Sequence, residues 1–312
     1  MTDRASTTLQ DRIRGVAVGA AIGDALGMPL EFRRATPNEQ LVRDLLPGRL
    51  PAGSFTDDTE MALALAESLL ARKPLNPDDL AQRFVQWYRQ GPPDVGLYTS
   101  SVLSRIAAGV SWDQSANEAQ QQRPESAGNG SLMRNWPVAL AHWKNPIECL
   151  ADSVLQSRVT HAHSECTAAC AFESAMILSL LKGETTADAL NQARLQVALP
   201  PGLAAFVDEA PHRKREELRN SGWVRHTLES AIWALLTTSS FEEAAIQAAN
   251  LGADADTSAT VLGAMAGAAY GLSGIPQRWV NMLRGEWPLG SGKILVADDF
   301  ITLAEKLSGL TV

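Results

Sequence analysis

The stretch Gly15-Val-Ala-Val-Gly19-Ala-Ala-Ile-Gly23-Asp-Ala-Leu-Gly27 decides the fold when read together with Gly263-Ala-Met-Ala-Gly267-Ala-Ala-Tyr-Gly271. Glycine recurs every four residues in both. Positions four apart lie on one face of an α-helix, so each stretch presents a face without side chains. A glycine inside a helix costs about 1 kcal/mol relative to alanine. Repeating that cost has a physical reason where a neighbouring backbone must come very close. Chance enrichment in an Ala/Gly-rich chain is the plainer explanation. The close-packing reading predicts two helices deep in a bundle, forming its central scaffold.

Helical periodicity continues outward from these stretches, and alternating strand-like runs are nearly absent. Helices are expected at Leu9–Met28, Asp58–Arg72, Asp78–Arg89, Ser101–Ala108, Trp136–His142, Ile147–Ser157, Glu165–Lys182 and Ala187–Leu195. Further helices are expected at Trp223–Thr237, Phe241–Ala249, Asp256–Leu272, Pro276–Leu283 and Asp298–Leu307. Pro47-Gly48, Gly91-Pro92-Pro93, Gly128-Asn129-Gly130 and Pro200-Pro201-Gly202 punctuate them. The charged stretch Pro211–Asn220 reads as a solvated loop or short exposed helix.

The 312 residues allow one or two domains by length alone. Hydrophobic residues make up 45% and charged residues 20%, as in ordinary globular proteins. The net charge of −8 disfavours a broad nucleic-acid or membrane surface, although a local basic pocket for one phosphorylated ligand stays open. Met1-Thr2-Asp3-Arg4 lacks the basic start and apolar run of a signal peptide. The apolar run Ala259–Leu272 is shorter than the roughly 18–20 residues that cross a bilayer. Three cysteines, Cys149, Cys166 and Cys170, make no disulfide framework. A cytoplasmic location is the expectation.

Two oxygen-rich clusters stand at helix starts: Thr56-Asp57-Asp58-Thr59 and Asp254-Ala255-Asp256-Thr257. Helix capping is the simpler explanation, and Asp57 with Glu60 fits a capping-box-like pattern. Capping needs only one side-chain oxygen, however, and each cluster carries two carboxylates with hydroxyls. Carboxylates this close raise one another's pKa unless a cation joins them. Their oxygens suit Mg²⁺, Mn²⁺ or Ca²⁺. One cluster holds too few ligands for a two-metal site, whereas both together hold enough. The clusters must then meet in space, which favours a single domain, 1–312. Cys166 and Cys170 with His161 and His163 lack the spacing of a common zinc motif and read as core.

The turn Ala127-Gly-Asn-Gly-Ser-Leu-Met-Arg134 precedes a helix and can aim backbone N–H groups at an anion, with Arg134 as a charge partner. It also reads as a plain turn. His161 is more commonly structural, and Trp223 suits either the core or stacking on a base. Asp94 is a loop carboxylate, and most of those only form turns.

Taken in order, these residues resemble the ADP-ribosylglycohydrolases, and within them the dinitrogenase reductase-activating type. The resemblance runs from about Arg12 to Trp279. It rests on Gly19-Ala-Ala-Ile-Gly-Asp-Ala-Leu-Gly-Met-Pro-Leu-Glu31, Phe55-Thr-Asp-Asp-Thr-Glu-Met61 and Pro93-Asp-Val-Gly96. The later pieces are Gly128-Asn-Gly-Ser-Leu-Met-Arg134, Thr160-His161, Gly222-Trp-Val-Arg-His-Thr-Leu228 and Gly252-Ala-Asp-Ala-Asp-Thr257.

The resemblance implies an all-α compact orthogonal bundle around a cleft with a binuclear metal centre. It implies two Mg²⁺ or Mn²⁺ ions held by Thr56, Asp57, Asp58, Asp254, Asp256 and Thr257. Catalytic roles fall to Asp94, Glu31, Asp57 and Asp254, with Glu31 closing over the site as gate or base. Asn129, Gly130, Ser131 and Met133 match the diphosphate and ribose site, His161 a ligand contact and Trp223 an aromatic stacked on the nucleotide. The implied reaction is metal-dependent hydrolysis of the N-glycosidic bond of ADP-ribosylated arginine in a protein, releasing ADP-ribose. The implied enzyme is a monomer whose partners are an ADP-ribosylated protein and ADP-ribose. Hydrolysis of O-linked ADP-ribose, a non-catalytic ADP-ribose-binding module and a two-metal phosphohydrolase are the alternatives. Three departures stand out. Ala253 replaces a usual glycine before the second cluster and is expected to narrow the cleft, Leu97 replaces a polar residue after Asp-Val-Gly, and Ala162-His163-Ser164 follows His161 in place of the more usual proline-bearing segment.

Overall fold

The computed structural model describes residues 7–310, so the reading of Met1-Thr2-Asp3-Arg4 lies outside the described residues. The architecture is all-α, as expected. In chain order the helices begin with α1 (Leu9–Gly27), α2 (Asp57–Ala71), α3 (Pro77–Arg89), α4 (Leu97–Ala107) and α5 (Trp112–Gln122). Then follow α6 (Trp136–Ala141), α7 (Pro146–Arg158), α8 (Ser164–Leu181), α9 (Thr186–Gln196) and α10 (Pro201–Glu209). The last are α11 (Val224–Thr237), α12 (Phe241–Ala249), α13 (Ala255–Tyr270), α14 (Gln277–Val280) and α15 (Ala297–Ser308).

Every helix read from the sequence is present, most within one or two residues of its expected ends. Two were missed, α5 and α10. The first is polar, with only Ser115, Ala116 and Ala119 buried. The second begins inside Pro200-Pro201-Gly202, where proline at the first helical position starts a helix instead of breaking one. A two-stranded antiparallel hairpin, β1 (Arg284–Glu286) with β2 (Ile294–Val296), was also missed, being only three residues per strand. Pro211–Asn220 holds two short 3₁₀ turns, Ala210–His212 and Arg215–Glu217.

The two glycine helices form the centre. A Cβ on Gly15 would stand 2.4 Å from the Gly267 carbonyl oxygen, one on Gly19 2.4 Å from that of Gly263, and one on Gly23 1.9 Å from that of Ala259. Reciprocally, a Cβ on Gly263 would meet the Gly19 oxygen at 2.1 Å, and one on Gly267 the Gly15 oxygen at 1.9 Å. The backbones of α1 and α13 therefore touch along an antiparallel seam with no room for a methyl group. Gly15 through Gly27 are all buried, as are Ala255 through Ala268. Gly271 is a correction to the periodic reading. It ends α13 in a left-handed conformation, φ 75°, rather than continuing the helix.

Two helices, α1 with its following turn and α8, have the length and apolarity of a bilayer span, although 94% and 89% of those segments is buried within the bundle. They are long because they run through the core.

Candidate metal centre

The seam ends where Gly27 meets Asp256: a Cβ on Gly27 would lie 2.4 Å from the Asp256 Cα and backbone nitrogen. That register delivers the start of α13 to the end of α1. The turn after α1 is tied to the second acidic cluster by two backbone bonds, Phe32 N–H to the Ala253 carbonyl and Ala253 N–H to the Arg33 carbonyl, both 2.7 Å. Ala253 sits there at φ 51°, in the left-handed region that glycine adopts freely and alanine only under strain.

Helix capping does not explain the acidic residues. Helices α1, α3, α5, α7, α8, α9 and α12 all carry a side-chain cap on their first turn, from Thr8, Asn76, Ser111, Asn145, His163, Thr185 and Ser240. Neither α2 nor α13 does. Helix α2 is capped instead from another helix. Asp24, fully buried in α1, accepts the backbone N–H of Thr56 at 2.9 Å and of Thr59 at 3.1 Å. It also accepts the Thr56 hydroxyl at 2.8 Å and the Thr59 hydroxyl at 2.6 Å. Glu60, the other half of the expected capping box, accepts instead from the Trp87 indole at 2.7 Å. With the cap supplied by Asp24, Asp57 and Asp58 are free to face the cleft.

A cleft of about 250 Å³ joins the two clusters. Asp57, Asp58, Asp254, Asp256 and Thr257 line it, together with Glu31 and Asp94. Thr257 Oγ1 donates to Asp58 Oδ1 at 3.3 Å across the junction of α2 and α13. One oxygen of each of Glu31, Asp254 and Asp256 lies within 4.8 Å of the other two. Asp58 Oδ2 is buried without a hydrogen-bond partner. Burial first, then neighbouring carboxylates, raises Asp57, Asp58 and Asp256 well above the usual carboxylate range. An orphaned carboxylate oxygen inside a nest of like charges calls for a cation. The donors are all hard oxygens, so the residues present fit Mg²⁺ or Mn²⁺. Thr56 is the exception among the expected ligands. Its side chain is buried and its hydroxyl proton goes to Asp24, so only its remaining lone pairs face other partners.

The sequence reading missed two residues of this site. Asp24 lay inside the glycine run, where nothing separates a buried anchor from a chance polar residue. Arg49 comes from the long connection between α1 and α2. Its guanidinium pairs with Glu31, with Asp94 at 2.9 Å and with Asp256 at 3.6 Å. Burial raises Glu31 and Arg49 opposes that rise. No local pattern announces such an arginine, because its three partners come from three separate segments.

The Gly128–Met133 turn forms the neighbouring wall. Gly128, Asn129, Gly130, Met133 and His161 line the same cleft. Asn129 Nδ2 donates to Asp254 Oδ2 and to Thr227 Oγ1, both at 2.8 Å, which links this turn to the acidic cluster. The backbone N–H groups of Gly130 and Ser131 take no protein acceptor among the described residues. The Ser131 side chain points away, into the core. Its Oγ accepts from Ser157 at 2.8 Å, which leaves the backbone as its means of reaching a ligand. Arg134 is likewise fully buried, behind the turn rather than in the cleft, contrary to the expected charge partner. Trp223 lies in an adjoining recess that shares Gly128 and Gly222 with the cleft, and the Arg225 guanidinium sits 4.4 Å from its ring. Leu97 lines the cleft and is 86% exposed. Cys166 and Cys170 are buried in α8, the first against the Gly128 carbonyl and the second against Ser131 Oγ, as core cysteines.

Comparison with known proteins agrees with this geometry. The model of the ADP-ribosylglycohydrolase family matches residues 5–311. The ADP-ribosylarginine hydrolase Tri1 of Serratia proteamaculans is 37% identical, over 88% of this chain and 75% of that protein. The ADP-ribosyl-[dinitrogen reductase] glycohydrolase of Rhodospirillum rubrum is 31% identical, over 88% of this chain and 91% of that one. A solved structure described as an ADP-ribosylglycohydrolase-related protein complex superposes with a TM-score of 0.82 at 34% identity, covering 97% of this chain and 99% of that one. The chain belongs to the ADP-ribosylglycohydrolase family.

Proposed function

We propose that this family member hydrolyses the N-glycosidic bond joining ADP-ribose to an arginine side chain of a modified protein, releasing ADP-ribose. The observation that carries the reading is the convergence of two distant acidic turns on one cleft, with Asp58 Oδ2 left unpaired. The arginine linkage is supported by the relatives from Serratia and Rhodospirillum, whose names specify ADP-ribosylarginine and ADP-ribosyl-dinitrogen reductase. Two divalent cations, Mg²⁺ or Mn²⁺, would be held by Asp57, Asp58, Asp254, Asp256, Thr257 and the remaining lone pairs of Thr56. When bound, they supply Lewis-acid chemistry and orientation at the ribose.

The chain's own groups do the rest. Asp94, on the loop after Pro92-Pro93, faces the cleft beside Glu31. Asp94 or a carboxylate of the acidic clusters would take the proton that the attacking water loses and pass it to the departing guanidine. Glu31 closes the site from the α1 side. The free N–H groups of Gly130 and Ser131 receive the diphosphate, and Met133 and His161 shape the ribose side. Trp223, half exposed in the adjoining recess, offers a face for the base. We read the chain as a single-domain monomer in the cytoplasm, and light scattering on the purified chain tests the oligomeric state.

Mass spectrometry of products from ADP-ribosyl-arginine and ADP-ribosyl-serine peptides, with and without chelator, tests the reaction. Intact ADP-ribose and unmodified arginine peptide are expected, with activity lost in EDTA and restored by Mg²⁺ or Mn²⁺. Asp57→Asn and Asp256→Asn should each lower both bound metal and turnover. AMP as the product, or full activity in EDTA, would refute the reading.

A further inference from the structure

Arg134 is the most deeply buried arginine among the described residues, with no exposed surface. Among the described residues no carboxylate pairs with it. Its Nε donates to Gln156 Oε1 at 3.0 Å, and its Nη2 donates to the Gln156 carbonyl at 3.0 Å and to Thr160 Oγ1 at 2.8 Å. The guanidinium carbon stands 4.3 Å from the centre of the Phe84 ring. A charge held this way needs a reason, because burying an ion without a counter-ion is expensive.

The reason lies one bond further along. Thr160 Oγ1 is 2.8 Å from His161 Nδ1. A guanidinium only donates, so the Thr160 oxygen accepts from Arg134. The Thr160 hydroxyl proton then has one acceptor beside it, His161 Nδ1. A proton on Nδ1 would also face the Arg134 charge. Both effects leave Nδ1 bare and place the imidazole proton on Nε2. Burial first, and Arg134 second, hold His161 down to about 3, so the ring is neutral throughout the physiological range. The opposite edge of the ring faces the cleft turn. A Cβ on Gly128 would lie 3.4 Å from Nε2, and one on Gly130 3.1 Å from it. The backbone of His161 is fixed as well, with its N–H bonded to the Ser157 carbonyl at 2.7 Å.

We propose that Arg134 and Thr160 are positioning residues that lock His161 in its Nε2–H form, making it a fixed donor to a phosphoryl or ribose oxygen of the ligand on the Gly128–Met133 turn. The ligand half of this statement rests on the proposed function; the tautomer does not. A neutral donor suits such an oxygen, which only needs to accept, and its direction is set before the ligand arrives.

Long-range ¹H–¹⁵N correlation spectra of ¹⁵N-histidine-labelled protein read the tautomer directly, with His161→Gln assigning the signal among the five histidines. The wild-type chain without ligand should show a single neutral form with the proton on Nε2. Thr160→Val, nearly the same shape, removes the relay. It should give a mixed or Nδ1–H spectrum and about a tenfold weaker Kd for ADP-ribose by calorimetry, the size of one lost hydrogen bond. Thr160→Ser restores the hydroxyl and should restore both readouts, and it stands in if the valine variant does not fold. A wild-type spectrum with the proton on Nδ1 overturns the proposal. So does a Thr160→Val protein that loses stability yet keeps the Nε2–H form. Failure of the wild-type chain to bind ADP-ribose would count against the proposed function alone, and the ligand-free spectrum would still decide the tautomer.

Discussion

The same two helices, α1 and α13, make both the tightest and the least satisfied part of this molecule. Along the seam their backbones touch at Gly15, Gly19 and Gly23 with no space for a Cβ. A turn further on, at Gly27 and Asp256, the helices open onto a cleft whose carboxylates repel one another and include an oxygen with no partner. The difference teaches what the seam is for. Groups that repel stay together only if the elements carrying them cannot slide apart, and backbone-to-backbone packing leaves no slack for sliding. Asp24 extends the same logic to α2. It grips the first turn of α2 through four hydrogen bonds and so brings the first cluster to the second.

Four changes test that contrast, in descending order of expected effect. The largest is Gly23→Leu or Gly263→Leu. Both place a Cβ within about 2 Å of a carbonyl oxygen on the opposing helix, so the loss should exceed roughly 4 kcal/mol and soluble folded protein should not be recovered. Gly183→Ala, in open space at positive φ, should cost only about 1–2 kcal/mol in the same denaturation assay. If the leucine variants are as mild as Gly183→Ala, the seam is not the scaffold.

Next comes a buried acid away from the cleft. Burial raises Glu173 to about 8, against an ordinary 4.5, with Asn135 as its donor. Its folded pKa is raised, so its contribution is fully present below about 4.5 and disappears as pH rises through about 8. Wild-type stability should therefore fall between those values by an amount on the order of a few kcal/mol. Glu173→Gln should flatten that fall and be more stable than wild type at pH 9, as measured by urea titration at several pH values.

Asp58→Asn probes the cleft itself. Removing one of several crowded carboxylates should leave stability in chelator unchanged or higher by about 1 kcal/mol. Mg²⁺ or Mn²⁺ should raise the Tm of the wild-type chain, and Asp58→Asn should abolish that rise. A variant that is destabilised in chelator and still responds to metal would show that Asp58 is a structural group.

The smallest effect is expected at Ala253, whose φ of 51° strains an alanine. Ala253→Gly should gain about 0.5–1 kcal/mol. No gain would mean that the paired bonds to Phe32 and Arg33 hold this turn without strain.

Much of this was legible in the sequence because it depends on spacing along one chain segment. The period-four glycines set a side-chain-free face whatever surrounds it, and two carboxylates at each of two helix starts exceed what capping needs. Helix ends are legible for the same reason, and α10 escapes because a Pro-Pro-Gly run suits a break and a helix start equally. The site's supporting residues were not legible. Asp24 and Arg49 gain their meaning from partners dozens to hundreds of residues away, and the Ser131 and Arg134 side chains point inward although their neighbours Asn129 and Met133 face the cleft.

The sequence by itself determined that this chain is helical, that two of its helices pack backbone to backbone, and that it holds enough oxygen ligands for divalent cations. Tertiary structure alone decided which acid caps a helix and which faces the cleft, and which way each side chain of the Gly128–Arg134 turn points. The physical reason is that periodicity and capping are properties of neighbours in the chain, whereas burial, charge pairing and hydrogen-bond direction belong to neighbours in space.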